Sequence, residues 1–542
     1  MIESQRSGHP ESYWGLVNDR AEMDPGGIAL IDVDQRVDFA ALRDDVARIM
    51  AGFATLGVGQ GDVVAIWLPN VVEWVEASLA VGGLGAITLG INTKLRSHDV
   101  EQLLIESHAK VLVTWPDFKG IDFLGMLAEI GPMLPDSLTH IVYVRSSEAL
   151  DGGENGLGDL VPWSQVMETE PTPVVDRYSE SLANAFTSSG TTGRPKIVLH
   201  TQRAELFHSF AVAERFGYAG VGDEVIFAAL PLCGVFGFNT LLAGLAAGRP
   251  VVLQTVFNAR EAITLIEQHR ITHLNASDTM LRLILDALDD PHRVASWREA
   301  AFGAFTAADP MTLVERGVGL GKKLFQTYGS SESMAVSTYP VAGSGPERWA
   351  LGGGVPVSPE YEARIRSVES GGLLSVGDPG EIELRGLNIS PARLTADGVV
   401  AVAQSADGFH ATGDLGRLQN GDDVVYLARL GDALRLGGFL VSPSEVESFL
   451  GGIPGVAEAQ YVAVEWNDVL TPVAFVVAER GVAITEQRIL AACSAGLAAF
   501  KNPRRVGVLA SFPVMRGANG DKVQKGLLRE LARELLAERV SA

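Results

Sequence analysis

The run Thr187-Ser188-Ser189-Gly190-Thr191-Thr192-Gly193-Arg194-Pro195-Lys196 concentrates five hydroxyls, two glycines, a proline and two cations in one short loop. Gly190 and Gly193 accept backbone dihedrals that a Cβ would forbid, so successive N–H groups in such a loop turn toward a single anion. The hydroxyls of Ser188, Ser189, Thr191 and Thr192 add donors, and Lys196 adds a point charge suited to phosphate. This is not the Walker loop, which needs Gly-x-x-x-x-Gly-Lys-Ser/Thr, whereas Lys196 here stands between Pro195 and Ile197. Taken alone, a Gly/Ser/Thr-rich segment is an ordinary surface turn, and phosphate binding requires partners elsewhere in the chain.

The elements around the loop show what would position it. Ile197-Val198-Leu199 reads as a strand leaving it. Upstream, Phe39 to Leu56 and Val71 to Leu84 carry apolar residues at helical spacing, alternating with strand-like Val63–Leu68 and Ala86–Leu89. Another helix-to-strand step runs from Val100 to Val113, and further strands are expected at Val225–Leu230, Val251–Leu253, Ile271–Leu274 and Lys323–Phe325. Such alternation predicts helix-covered, mainly parallel sheets, an α/β arrangement. From about Gly352 to Leu427 short glycine-punctuated strands such as Glu381–Leu384 predict a small β-rich subdomain. Past Leu430, Ser442-Pro443-Ser444-Glu445 has the makings of a helix start, ended by Gly451-Gly452. Strands at Tyr461–Val464, Val473–Val477 and Val506–Leu509 and a helix at Glu486–Ala499 complete a small α+β unit. The expected division is 1–430 and 431–542. The glycine-rich run 151–156 is an exposed loop with no assignable chemistry.

At 542 residues the chain exceeds one compact core. A net charge of −23 argues against a nucleic-acid binder and against docking on anionic lipid, so an anionic ligand must be drawn in by local cations. Cys233 and Cys493 are far apart in apolar company and read as buried, inert thiols. No secretory leader or membrane-length apolar stretch is evident, which predicts a cytoplasmic protein.

Four further segments give the loop its meaning. Tyr328-Gly329-Ser330-Ser331-Glu332-Ser333, Thr412-Gly413-Asp414, Arg429 before Gly431-Asp432, and Asn519-Gly520-Asp521-Lys522-Val523-Gln524-Lys525 follow in order. With Leu68-Pro69-Asn70 and the Gly85–Asn92 stretch, they make nearly the whole chain similar to the adenylate-forming superfamily of acyl-CoA synthetases, luciferases and peptide-synthetase adenylation domains. The resemblance implies a large α/β N-terminal domain, a small α+β lid, and the substrates ATP, a carboxylic acid and CoA, with Mg²⁺. In that family a carboxylate attacks the α-phosphate of ATP, releasing pyrophosphate, and a thiolate then displaces AMP.

Carried over residue by residue, Ser188 to Lys196 would hold the β- and γ-phosphates and Glu332 would bind Mg²⁺. Tyr328 would stack on adenine, beside Gly329 and Ser331, with Gly303-Ala304 lining the base. Asp414 would accept the ribose hydroxyls near Arg429. Lys522 would bridge the attacking carboxylate and the phosphate, with Lys525 its rival if the register slips, and Gly431 occupies the hinge.

The acid pocket is implied at Gly234, Phe236, Asn239 and Gly329. Phe236 is followed by Gly237-Phe238-Asn239 with no carboxylate, which sets aside amino-acid substrates. Gly329 stands where acetate-type members carry tryptophan, which favours a bulky hydrophobic acid. Some positions depart from the family: Gly234 replaces a usual histidine, Gly431 a usual Asp or Lys, and Arg435 a usual lysine, while Gly437 falls where a cation is common. Three expectations follow. The first is a complete acid–CoA ligase. The second is a member performing one half-reaction, with a partner ligase supplying or receiving the acyl-adenylate. The third is a non-catalytic nucleotide-binding regulator.

Overall fold

The computed structural model of the chain describes residues 8–146, 157, 159–188, 196–220, 222–305, 309–430, 434–436, 439–441, 443–467, 469–497, 501–517 and 520–538. The centre of the loop expected to hold phosphates (189–195), the glycine-rich run 151–156, Gly431 and Gly437 lie outside the described residues.

Two sheets enclose a common layer of helices. One has seven strands, in the order Lys323–Gln326, Glu299–Gly303, His273–Ser277, Ile226–Ala228, Val251–Leu253, Ile28–Ile31 and Arg36–Asp38, with only the last pair antiparallel. The other has nine, ordered Gly398–Ala401, Ala392–Thr395, Lys196–Thr201, Leu182–Ser188, Ile87–Gly90, Val63–Trp67, Val111–Thr114, His140–Tyr143 and Asp159–Pro162. Strand Val63–Trp67 shows why the apolar runs are nearly continuous. Val64 and Ile66 enter the core between the sheets, while Val63, Ala65 and Trp67 enter a second core on the far face. Helices Phe39–Thr55, Val72–Gly83, Gln202–Arg215 and Val235–Ala246 fill the middle layer. The last is buried on every side, as a helix apolar all round must be. Thr201 ends its strand and caps the next helix, its Oγ1 accepting from Ala204 N at 3.2 Å.

The mainly parallel α/β reading holds, with two shifts. The strand expected at Ile271–Leu274 is His273–Ser277. Within the region read as a β-rich subdomain, Ala392–Thr395 and Gly398–Ala401 leave to extend the nine-stranded sheet. The cause is an edge offered by Lys196–Thr201, where Ala392 faces Leu199 and Leu394 faces Ile197 in one apolar cluster. The rest of that region forms a six-stranded sheet in the order Thr338–Tyr339, Gly353–Pro356, Val424–Arg429, His410–Leu418, Gly380–Arg385 and Glu362–Arg366. Beyond residue 434, Val456–Trp466, Val469–Ala478 and Arg505–Leu509 pair into a sheet with an apolar cluster on each face, one closed by helix Pro443–Gly451 and one by helix Lys525–Ala537. Cys233 and Cys493 are buried free thiols, and burial pushes them up to about 12 and about 11.

The opening helix Tyr13–Met23 is joined to the core by polar atoms. The Tyr13 hydroxyl donates to Glu205 Oε2, Asn184 Nδ2 lies 3.0 Å from the same oxygen, and Gln202 Oε1 accepts from Tyr13 N at 2.8 Å. Glu205 is fully buried with Oε1 unpartnered among the described residues, and desolvation holds its carboxyl well above the ordinary value of 4.5. The folded state therefore keeps a proton that the unfolded chain releases above that value. This side chain's contribution to stability falls as pH rises, by up to about 1.4 kcal/mol per pH unit. Glu205→Gln should thus gain in melting temperature relative to wild type between pH 5 and pH 8. A difference independent of pH would mean that Glu205 is ionised in the fold.

Candidate active site

Strands Glu299–Gly303 and Lys323–Gln326 run parallel, and the chain leaving their carboxyl ends builds the site, as in other open α/β sheets. Segment 328–337 folds back on itself. Ala335 N donates to Ser330 O at 2.9 Å and Ser337 N to Tyr328 O at 2.9 Å. Met334 and Ala335 are both left-handed, at φ 61° each, an uncommon conformation for residues with a Cβ. The Ala335 carbonyl passes so close to Gly329 that a Cβ there would lie 1.5 Å from its oxygen. That carbonyl accepts from Ser337 Oγ at 2.7 Å. Gly329 is therefore required by backbone approach, a constraint separate from any volume it leaves for an acid.

Glu332 sits half-buried on the short 3₁₀ turn Ser331–Ser333 of this fold-back. Its backbone is gripped from two sides: Ser390 N donates to Glu332 O at 2.7 Å, and His200 Nε2 lies 2.7 Å from Ser331 O. Asn388 Nδ2 donates to Ser333 O at 3.1 Å. A carboxylate on so heavily tied a turn is aimed by its neighbours.

Asp414 and Arg429 face each other across an antiparallel pair, and Arg429 Nη1 stands 3.1 Å from Asp414 Oδ1. Tyr328 donates its hydroxyl to Asp414 Oδ2 at 2.8 Å, and its ring stacks on Tyr426 with centroids 5.7 Å apart. Burial pushes the Asp414 carboxyl up, against the pull of Arg429 and the Tyr328 hydroxyl. Its Oδ1 is buried and, among the described residues, lacks a hydrogen bond of good geometry. One face of Tyr328 is thus already covered by Tyr426.

At the base of the segment expected to hold phosphates, Ser188 pairs with Lys196 and Thr187 with Ile197. Lys196 is half-buried at its base. Gly303 and Ala304 end their strand half-buried, and the Phe305 ring lies over Gly303, where a Cβ would approach it to 2.8 Å. Asn70 orders the approach to Gly234. It accepts from Leu232 N at 3.0 Å and donates to Ala228 O and Leu230 O at 3.1 and 2.9 Å. Gly234 caps helix Val235–Ala246, whose Phe236 and Asn239 are buried. Thr240 Oγ1 accepts from Asn275 Nδ2 at 3.0 Å, and Asn275 lies beside Ala301 of the strand ending at Gly303. Both amide atoms of Asn239 are buried without partners among the described residues.

Lys522 lies on strand Gly520–Val523, paired with Met515; its side chain is outside the described part. Lys525 opens the last helix, and its Nζ is 3.5 Å from Glu447, which also accepts from Tyr461 N at 2.9 Å. Lys525 is thereby tied into its own domain. The fold brings Tyr328, Glu332, Asp414 and Arg429 onto adjoining segments. Sequence reasoning missed His200, Ser337, Asn388 and Ser390, which bond backbone groups and belong to no recognisable pattern; only His200, an imidazole in an apolar strand, offered a signal.

Two family models match the chain: AMP-binding enzyme over residues 17–392 and AMP-binding enzyme C-terminal domain over residues 445–518. Among curated proteins, a 3-[(3aS,4S,7aS)-7a-methyl-1,5-dioxo-octahydro-1H-inden-4-yl]propanoyl:CoA ligase of Mycobacterium tuberculosis is 33% identical over 94% of this chain and 96% of its own. Its counterpart from Rhodococcus jostii is 31% identical over 93% and 95%. Among solved structures, O-succinylbenzoate coenzyme A synthetase from Bacillus subtilis, in complex with ATP and magnesium ion, superposes with a TM-score of 0.75 at 26% identity, covering 95% of this chain and 99% of that one. Gly329→Ala should displace the fold-back and lower affinity for AMP by at least about tenfold, read by calorimetry, since about 1.4 kcal/mol is a factor of ten and the clash involves backbone. Wild-type AMP affinity in that variant would show that the segment tolerates a Cβ and that the close approach is unimportant.

Proposed function

The chain belongs to the AMP-binding enzyme family, and we propose that it activates a bulky, largely hydrophobic carboxylic acid as its acyl-adenylate and transfers the acyl group to CoA. It is an acid–thiol ligase of the AMP-forming type, using ATP and CoA. In the first step a carboxylate oxygen attacks the α-phosphorus and pyrophosphate leaves; in the second the CoA sulfur attacks the acyl carbon and AMP leaves.

The division of labour follows from the residues. Asp414 accepts the ribose hydroxyls, with Arg429 beside it. Tyr328 and the Gly303-Ala304 strand end bound the base, and the 188–196 loop with Lys196 takes the β- and γ-phosphates. Magnesium keeps most of its waters and takes one or two carboxylates together with substrate phosphates, so a single carboxylate on a fixed turn, Glu332, fits the ion as a partner of bound nucleotide. When bound, the ion offsets phosphate charge. Lys522, on its hairpin in the C-terminal domain, neutralises charge between the attacking carboxylate and the α-phosphate. Gly431 serves as the hinge, dividing the chain at 430/431.

The observation that carries the substrate reading is the fully buried Asn239, whose amide has no partner among the described residues, on a largely apolar helix. An apolar acid alone would leave both of its ends unsatisfied, whereas an acid bearing a ketone or hydroxyl on a hydrophobic frame would not. The mycobacterial relative is named for a fused-ring propanoyl group with two ketones, which is of this kind. The direct test supplies CoA with alicyclic, aryl and fatty acids plus Mg·ATP, or with their preformed acyl-adenylates. Thioester from both inputs is expected. Thioester from the adenylate alone would leave only the second half-reaction and turn attention to Gly234, Arg435 and Gly437.

Lys522→Ala should slow ATP-dependent activation on the order of 10²-fold or more while AMP binding stays near wild type. Unchanged activation would remove Lys522 from the chemistry. Asn239→Leu should lower the preference for keto-substituted over unsubstituted alicyclic acids by about tenfold in kcat/KM, the worth of one buried hydrogen bond. An unaltered ratio would place the acid's polar group elsewhere.

A further inference from the structure

Strand Lys196–Thr201 carries Lys196 at its first position and His200 four residues on. Since side chains alternate along a strand, Lys196, Val198 and His200 share one face, while Ile197 and Leu199 enter the apolar cluster on the other. His200 is completely buried, and its Nε2 lies 2.7 Å from the carbonyl oxygen of Ser331, the residue before Glu332. A carbonyl only accepts, so Nε2 carries the proton. Burial pushes this imidazole down to about 4, so the ring is neutral and Nδ1 is a bare acceptor, without a partner among the described residues. A buried ring with one nitrogen unsatisfied is costlier than the leucine that would fill the same space. What it secures is one bond across 131 residues, from the strand leaving the phosphate loop to the turn bearing the carboxylate.

We propose that His200 is a positioning residue which fixes the Glu332 turn relative to the strand that begins at Lys196, so that the carboxylate and Lys196 meet the metal–nucleotide complex in register. The role rests on the reading of Glu332 as the metal's protein ligand. His200 itself touches neither nucleotide nor acid. Its loss should appear where metal and the outer phosphates are engaged together, and not where AMP alone is bound. Glutamine places an amide N–H near the position of Nε2, whereas leucine has no donor.

The experiment compares His200→Leu, His200→Gln and Glu332→Gln with wild type. It measures ATP affinity by calorimetry across a magnesium titration, AMP affinity without metal, and thioester formation from preformed acyl-adenylate. In His200→Leu the magnesium concentration giving half-maximal ATP affinity should rise about tenfold, with AMP affinity and adenylate use within about twofold of wild type. His200→Gln should return the magnesium response to within about threefold of wild type. Equal losses toward Mg·ATP and AMP, or a glutamine variant no better than leucine, would overturn the proposal and leave His200 as a packing residue. Should His200→Leu not fold, His200→Asn, whose shorter amide falls short of Ser331, takes its place under the same criteria. Glu332→Gln tests the underlying reading separately: an unaltered magnesium response there would reject Glu332 as the metal's ligand whatever the His200 variants do.

Discussion

The carbonyl of Ala335 lies where a side chain at position 329 would begin, and the arrangement of the site depends on that contact. To place it there, Met334 and Ala335 adopt left-handed dihedrals that cost residues with a Cβ on the order of 1 kcal/mol or more each. Such a conformation persists only if the surroundings over-determine it. Here Ser337 holds the Ala335 carbonyl, Ser330 and Tyr328 carbonyls accept the returning backbone, and Asn388, Ser390 and His200 bind the outside of the turn. The strain is local and the restraint is distributed over three stretches of chain far apart in sequence. Tyr328 and Glu332, four residues apart, are thereby turned to separate tasks: one against Asp414 and Tyr426, the other out on the Ser331–Ser333 turn.

Much of this was legible beforehand because it depends on residue type at fixed spacing. Alternating helical and apolar runs placed the helices at 39–55 and 72–83 and the strand at 251–253 almost to the residue, since a parallel sheet buried on both faces leaves a strong apolar signal. Motifs put Glu332, Asp414 and Lys522 forward as candidates because the implied chemistry requires particular groups. The strand pair 392–401 was misplaced because an edge pairing is decided by which strand lies open, not by its own composition. The helix at 13–23 escaped notice because its attachment runs through Tyr13, Asn184, Gln202 and Glu205, a polar contact without periodicity. The restraints on the fold-back were illegible for a similar reason: serine, asparagine and histidine bonding to backbone carry no spacing rule.

Electrostatics sharpen the role of local cations. The chain carries a net charge of −23, so its long-range field repels a nucleotide and CoA alike. Capture of either depends on groups that act at close range, within about 10 Å at ordinary ionic strength. Lys196 at the base of its hairpin and Arg429 beside Asp414 are the cations proposed for that, and Arg429 also offsets the charge of Asp414. Asp414 in turn must be paired because it is buried, and the Tyr328 hydroxyl at Oδ2 with Arg429 at Oδ1 supplies the pairing.

The two lysines near the C-terminus illustrate how context separates similar residues. Both lie in a stretch whose sequence alone allows either to be the mobile cation. Lys525 begins a helix whose apolar side, Leu528, Ala532 and Leu536, is buried against the three-stranded sheet, so its backbone cannot shift without opening that cluster. Its ammonium faces Glu447 from the first helix of the same unit, and Glu447 is also bonded to the backbone of Tyr461. A group so engaged would have to break an ion pair and leave a half-buried carboxylate without its cation before reaching a substrate outside that unit. Lys522 stands on a two-stranded hairpin of four-residue strands that touches the nearer apolar cluster of that unit through Val523, so the backbone carrying it is held by less packing than the last helix. The physical difference between the two positions is the freedom of the backbone that carries each charge. That freedom is what the role proposed for Lys522 requires.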